Sequence, residues 1–83
     1  MPLKIFLFTQ PGCVSCEIMK IFLEAKEIVF EERAMNLDAS ARIELLETYH
    51  SNSVPTLVIL SESGAEVIEG FDPARLDRFF SAA

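Results

Sequence analysis

Cysteine and histidine are scarce in this sequence: two cysteines and one histidine are all it has. A structural zinc site takes four ligands, mostly Cys and His, so one chain does not furnish a closed site. Positive charge is sparse as well. The seven basic residues, Lys4, Lys20, Lys26, Arg33, Arg42, Arg75 and Arg78, are scattered among thirteen acids, for a net charge of −6. Phosphate contacts need clustered Lys and Arg, so neither nucleic acid nor an anionic membrane is an expected partner. No apolar run approaches the roughly 20 residues of a membrane span. The run after Lys4, Ile5-Phe6-Leu7-Phe8, falls short of the roughly 7–15 apolar residues of a signal peptide. The expected location is therefore cytoplasmic, where thiols stay mostly reduced. Linkers, internal repeats and low-complexity segments are also lacking, so residues 1–83 read as a single domain.

What the chain does have is apolar mass. It is 51% hydrophobic, with seven phenylalanines and no tryptophan. That content argues against disorder and for a core rich in Phe. A chain this short still buries only about 60% of its unfolded surface.

Leu3 to Phe8 reads as a strand apolar on both faces, with Leu3, Ile5 and Leu7 on one side and Phe6 and Phe8 on the other. Such strands are usually central in a sheet covered on both faces. Pro11 and Gly12 then break the pattern. From Val14 to about Lys26 the period becomes helical, and Val14, Ile18, Ile21, Phe22 and Ala25 are the expected core face. Ile28 to Arg33 reads as a second strand. Asp38 is placed to cap a second helix running to about Tyr49, with Ala39, Ile43 and Leu46, joined by Leu45 and Tyr49, as its apolar positions. His50 stands where that helix ends, and a cation is favoured there by the helix dipole. This assignment takes precedence over a catalytic or ligand role.

Thr56 to Leu60 is a strand introduced by Val54-Pro55. A turn at Ser61-Glu62-Ser63-Gly64 returns it as a fourth strand, Ala65 to Glu69, making a hairpin. Asp72 and Pro73 open a third helix as N-cap and first residue, with Phe71 and Leu76 at the two positions of a hydrophobic staple. The fold class is thus α/β, in the order β-α-β-α-β-β-α. A parallel βαβ unit with a right-handed crossover joins an antiparallel hairpin in a mixed four-stranded sheet, helices on both faces.

Both cysteines lie in Thr9-Gln10-Pro11-Gly12-Cys13-Val14-Ser15-Cys16, between the first strand and the first helix. A structural disulfide would close a loop too short to constrain the unfolded chain much. A Cys just before a helix faces backbone N–H groups without partners and the positive end of the helix dipole, and both favour thiolate over thiol. A second Cys three residues on is near enough to attack a mixed disulfide held on the first. Cys13 is then the nucleophile and Cys16 the resolving thiol. Cysteines also serve as buried packing residues, but a pair at this spacing and place points to redox chemistry. Two thiolates could alternatively hold Cu(I) or another soft ion. Against that stand Pro11 and Gly12, where small copper chaperones carry a Met, and an expected C-terminal helix where they end on a strand. An interaction module with an inert Cys pair is a third possibility, which unaltered thiol reactivity would reveal.

Cys-x-x-Cys after the first strand, Val54-Pro55 before the third and Gly70-Phe71-Asp72 before the last helix resemble the thioredoxin fold. The short form, spanning about Leu3 to Phe80, is similar to glutaredoxins and glutaredoxin-like small redoxins. The resemblance implies a dithiol–disulfide oxidoreductase, monomeric and with no cofactor beyond its own thiols, acting on disulfide-containing protein substrates. It implies that Cys13 attacks and Cys16 releases the product. It further implies that Pro55 is cis and brings the Val54 backbone beside the thiols, and that Gly70, Phe71 and Asp72 wall the substrate groove. The chain departs from glutaredoxins at three points. Val14-Ser15 replaces Pro-Tyr between the cysteines, Gln10 replaces a lysine, and Glu69 replaces the first of two glycines. Glutathione is anionic overall, so the last two changes weaken its expected binding. The thioredoxin pattern, Trp before the cysteines and Gly-Pro between them, is missing too. The expected electron source is therefore a thioredoxin-reductase-type flavoprotein, with glutathione as the alternative.

Overall fold

The structure, a computed structural model, describes residues 4–37 and 39–80. The elements are β1 (Lys4–Thr9), α1 (Val14–Ala25), β2 (Glu31–Ala34), α2 (Ala39–Glu47), β3 (Thr56–Ser61), β4 (Gly64–Glu69) and α3 (Pro73–Phe80). Their order is the one read from the sequence. They build one four-stranded sheet, β2-β1-β3-β4. β1 and β2 are parallel, Phe6 facing Glu31, while β1–β3 and β3–β4 are antiparallel. Among the described residues no helix is long and apolar enough to cross a membrane.

The central strands alternate between two cores, as their sequence requires. Ile5 and Leu7 of β1, Leu57 and Ile59 of β3 and Ile68 of β4 pack with Met19 and Leu23 of α1 and Leu76 of α3. On the other face Phe8 and Val58 pack with Ala41 and Leu45 of α2. Each fully buried aliphatic side chain contributes about 1.5–3 kcal/mol. α3 opens as expected: the Arg75 N–H donates to Asp72 Oδ1 at 3.2 Å, and Phe71 packs into the cluster that holds Leu76.

The faces of α1 and α2 differ from the expectation. α1 buries Cys16, Met19 and Leu23, and of the expected face Phe22 alone packs against the core, whereas Val14, Ile18, Ile21 and Ala25 are exposed. α2 buries Ala41 and Leu45, with Tyr49 half-buried. Ala39, Ile43 and Leu46 face outward. Both helices carry enough apolar residues for two faces, and the periodicity does not say which one meets the sheet. Asp38, the expected cap of α2, lies outside the described residues, as does Leu3.

The second strand also sits later than Ile28 to Arg33. α1 ends in a Schellman motif, in which the Glu27 N–H donates to Glu24 O at 3.0 Å and the Ile28 N–H to Leu23 O at 2.9 Å. Ile28 is thereby used to close the helix against the core, and Val29 is left 88% exposed. β2 then forms at a sheet edge, where the acids Glu31 and Glu32 reach water. β3 starts at Thr56 and β4 ends at Glu69 as expected, while β1 and β3 run one residue further, to Thr9 and Ser61, and β4 starts one earlier, at Gly64. After α2 the chain reverses at His50, exposed with φ 56, and the Ser51 N–H donates back to Leu45 O at 3.0 Å. His50 thus stands just past the helix end, as the sequence suggested.

Candidate active site

Cys13 is the N-cap of α1. Its backbone is extended, φ −90 and ψ 102, and its carbonyl oxygen accepts from the Glu17 N–H at 3.3 Å. Pro11 and Gly12 turn the chain into this position, with Gly12 at φ 76, a conformation in which a side chain is strained. The Cys16 N–H donates to Cys13 Sγ at 3.1 Å. One otherwise unpartnered amide of the first helical turn therefore points at the sulfur, in addition to the positive end of the helix. Cys13 and Cys16 are joined in a disulfide with Cα atoms 5.2 Å apart. Their surroundings are unequal: Cys13 is partly open to solvent, and Cys16 is fully buried.

The Val54–Pro55 bond is cis, as the resemblance implies. The residues before and after it are held by hydroxyl groups that the sequence reading passed over. Thr56 Oγ1 donates to Ser53 O at 2.6 Å. That uses its single proton, so at their 3.0 Å contact the Ser51 hydroxyl is the donor to Thr56 Oγ1. Ser51 and Thr56 are both buried. Two buried hydroxyls five residues apart around a proline are a signal the sequence contained, though a weak one.

Pro55 O accepts from the Gly70 N–H at 2.8 Å. Opposite Thr56 stand Phe8 on β1 and Glu69 on β4. The end of β1 that leads to Gln10 and Cys13, the start of β3 at Val54 and Pro55, and the end of β4 at Gly70 thus meet at one end of the sheet. Phe71 stacks edge-on to Phe22 of α1, ring centroids 5.7 Å apart, which ties that corner to the cysteine helix. Val54 is half-buried against the Phe8 cluster. Gln10, Glu69 and Asp72 are exposed at the rim, and Asp72 also caps α3.

A second polar group runs below the cysteine loop. Thr9 Oγ1 donates to Glu32 Oε2 at 2.8 Å, and Lys20 Nζ lies 3.2 Å from the same oxygen and 3.1 Å from Glu17. The Thr9 hydroxyl first, and Lys20 after it, hold the Glu32 carboxyl below its ordinary range, with burial opposing them. Glu17 and then Glu32 raise Lys20. Among the described residues, no group of three or more His, Cys, Asp or Glu side chains is placed to hold a metal ion.

A Cys-x-x-Cys disulfide at a helix start, on this sheet order, defines a thiol–disulfide oxidoreductase of the short thioredoxin fold. Comparison with known proteins makes the class specific. Residues 5–63 match the glutaredoxin family, and the chain belongs to that family. It is 30% identical over 77 residues to the SPbeta prophage-derived thioredoxin-like protein YosR of Bacillus subtilis, covering 90% of this chain and 91% of that protein. Among solved structures it is similar to the thioredoxin-like protein BC3987, with 42% identity, a TM-score of 0.83, and 93% of this chain and all of that one covered. The glutaredoxin from Archaeoglobus fulgidus shares the fold at 21% identity, with a TM-score of 0.71 over 90% of this chain and 83% of that one.

Proposed function

We propose that this protein is a dithiol electron donor that reduces protein disulfides in the cytoplasm and is itself re-reduced by a thioredoxin-reductase-type flavoprotein in preference to glutathione. The observation that supports the dithiol route is the inequality of the two sulfurs: Cys13 half-open at the helix start, Cys16 buried. In the reduced protein the Cys13 thiolate attacks one sulfur of a substrate disulfide. A Cys13–substrate disulfide forms and the other substrate sulfur leaves as a thiolate, which takes up a proton. Cys16 then loses its proton and attacks Cys13 Sγ. The Cys13–Cys16 disulfide forms and the second substrate thiol is released. Two electrons have passed to the substrate. The Val54 backbone beside Pro55 pairs with an extended substrate segment, and Gly70, Phe71 and Asp72 form the opposite wall.

The preference for a flavoprotein rests on the rim. Glutathione reduction passes through a glutathione–Cys13 disulfide, and the exposed Gln10 and Glu69 offer that anion no cation and one carboxylate. A protein reductase also recognises protein surface and suffers less. The test is NADPH-coupled turnover of the wild-type protein with a thioredoxin reductase or with glutathione and glutathione reductase, all from one cell. Faster turnover with the thioredoxin reductase is expected. Efficient turnover with glutathione alone overturns the assignment of the reductant.

A further inference from the structure

The helix behind the disulfide has two apolar faces, and the fold uses one of them. Cys16, Met19 and Leu23 are buried against the sheet. Val14, Ile18 and Ile21 follow one another at helical spacing on the opposite side, and they are 72%, 44% and 66% exposed. Ala25 continues the stripe by one more turn. Large aliphatic residues grouped in this way on a small domain mark a contact surface, and a helix apolar on both sides is ordinarily covered on both. The stripe begins between the two cysteines. A partner whose sulfur reaches Cys13 therefore lies beside Val14, and the stripe leads on from there along α1.

The charges beside the stripe select among occupants. Glu17 and Glu24 flank it on one side, with Lys20 further round and bound to Glu17 and Glu32. On the other side lies Phe22, with Lys26 5.2 Å from its ring centre and paired to Asp77 at 3.0 Å. A second copy docked helix against antiparallel helix brings Glu17 near the other Glu24, acid against acid, between chains of net charge −6. A basic partner meets complementary charge instead.

We propose that the Val14–Ile18–Ile21 stripe docks the protein substrate whose disulfide meets Cys13, through an apolar segment of that substrate bordered by Lys or Arg. The proposal rests on the redox reading above and adds the kind of substrate.

Docking is tested apart from chemistry with three fluorescein-labelled, cysteine-free amphipathic peptides, one Leu/Lys, one Leu/Glu and one Ser/Lys, measured by anisotropy. The Leu/Lys peptide is expected to bind about tenfold more tightly than either control, and less tightly as salt rises. Ile18→Ser with Ile21→Ser is expected to remove the difference, and Ile21→Lys alone to do the same should the double variant fail to fold. Equal binding of the three peptides, or a difference that survives Ile21→Lys, overturns the proposal. So does a wild-type dimer in sedimentation that Ile21→Lys dissociates, because the occupant is then a second copy. Reduction of a small-molecule disulfide is followed in parallel. Its absence overturns the redox reading, whereas the binding result alone decides the docking surface.

Discussion

The backbone N–H of Cys16 donates to Cys13 Sγ at 3.1 Å, so the buried cysteine supports the half-open one through its main chain while its own sulfur stays in reserve. Each sulfur has a separate task in this arrangement. Cys13→Ser is expected to abolish reduction of a protein disulfide. Cys16→Ser keeps the helix-start amide and the nucleophile but removes the resolving thiol, so a mixed disulfide on Cys13 should accumulate and be visible by mass. Alkylation of the reduced wild-type protein should mark Cys13 first. Faster marking of Cys16 reverses the assignment.

The two faces of α1 predict opposite responses to truncation. Leu23→Ala opens a cavity in the core and should cost about 2–5 kcal/mol, a large share of the roughly 5–10 kcal/mol available to a domain of this kind. Ile21→Ala removes a larger side chain than alanine from water, not from a core, and should stay within about 0.5 kcal/mol. Urea denaturation of both variants checks this, and a large loss at Ile21 would return that residue to the interior.

The same helix shows where the sequence was legible. Strand alternation named the faces of β1, because a period of two leaves no choice once both sides are apolar. Pro11-Gly12, Val54-Pro55 and Asp72-Pro73 placed the breaks, because their backbones permit little else. Helical periodicity failed at α1 and α2 for a physical reason: Val14, Ile18 and Ile21 form as good a stripe as Cys16, Met19 and Leu23. Only tertiary packing, which buries Cys16, Met19 and Leu23, chooses between them. Ile28 carries a related ambiguity. An isoleucine that staples a helix end looks in sequence like one that opens a strand. The hydroxyl of Thr9 left no pattern, and those of Ser51 and Thr56 only a weak one, since their partners Glu32 and Ser53 are set by strand register and loop shape.

Glu27 sits at the C′ position of α1 with φ 58, where its Cβ crowds the backbone and glycine does not. Its N–H and that of Ile28 close the helix, so the conformation is held in place. Glu27→Gly should stabilise the protein by about 0.5–1 kcal/mol, a rise of a few degrees in melting temperature at this chain length. A fall in melting temperature would show that glycine's extra freedom in the unfolded chain outweighs the relief.

Gln10 and Glu69 give the reductant preference its own test. Gln10→Lys with Glu69→Gly restores a cation and removes an acid at the rim. Each exposed charge is worth roughly 0.2–1 kcal/mol, so glutathione turnover should rise severalfold, and more at low salt. An unchanged ratio of glutathione to flavoprotein turnover would place the preference elsewhere in the groove.

The Thr9–Glu32–Lys20 group sets an acid-side pH dependence whose sign is fixed. The Thr9 hydroxyl at 2.8 Å, and then Lys20, hold the folded Glu32 carboxyl below its ordinary value of 4.5. A folded pKa lower than the unfolded one adds stability that is complete above the unfolded value and is lost as pH falls through the folded one. Lys20 is raised above 10.5 by Glu17 and then Glu32, so its contribution is complete below that value and fades only in strong alkali. Tyr49, raised mainly by burial, likewise weakens the fold only on the alkaline side. Thr9→Val keeps the buried shape and removes the donor to Glu32. It should cost about 1 kcal/mol at neutral pH, the value of an ordinary hydrogen bond, since Glu32 is partly open to water and screened. Below the range in which Glu32 titrates, the carboxyl is protonated in both states and the gap between variant and wild type should shrink. Urea midpoints at neutral pH and at successively lower pH, taken down through the titration of Glu32, measure this directly. A gap that stays constant or widens in acid would mean that Thr9 stabilises the strand end by packing and not through the Glu32 charge.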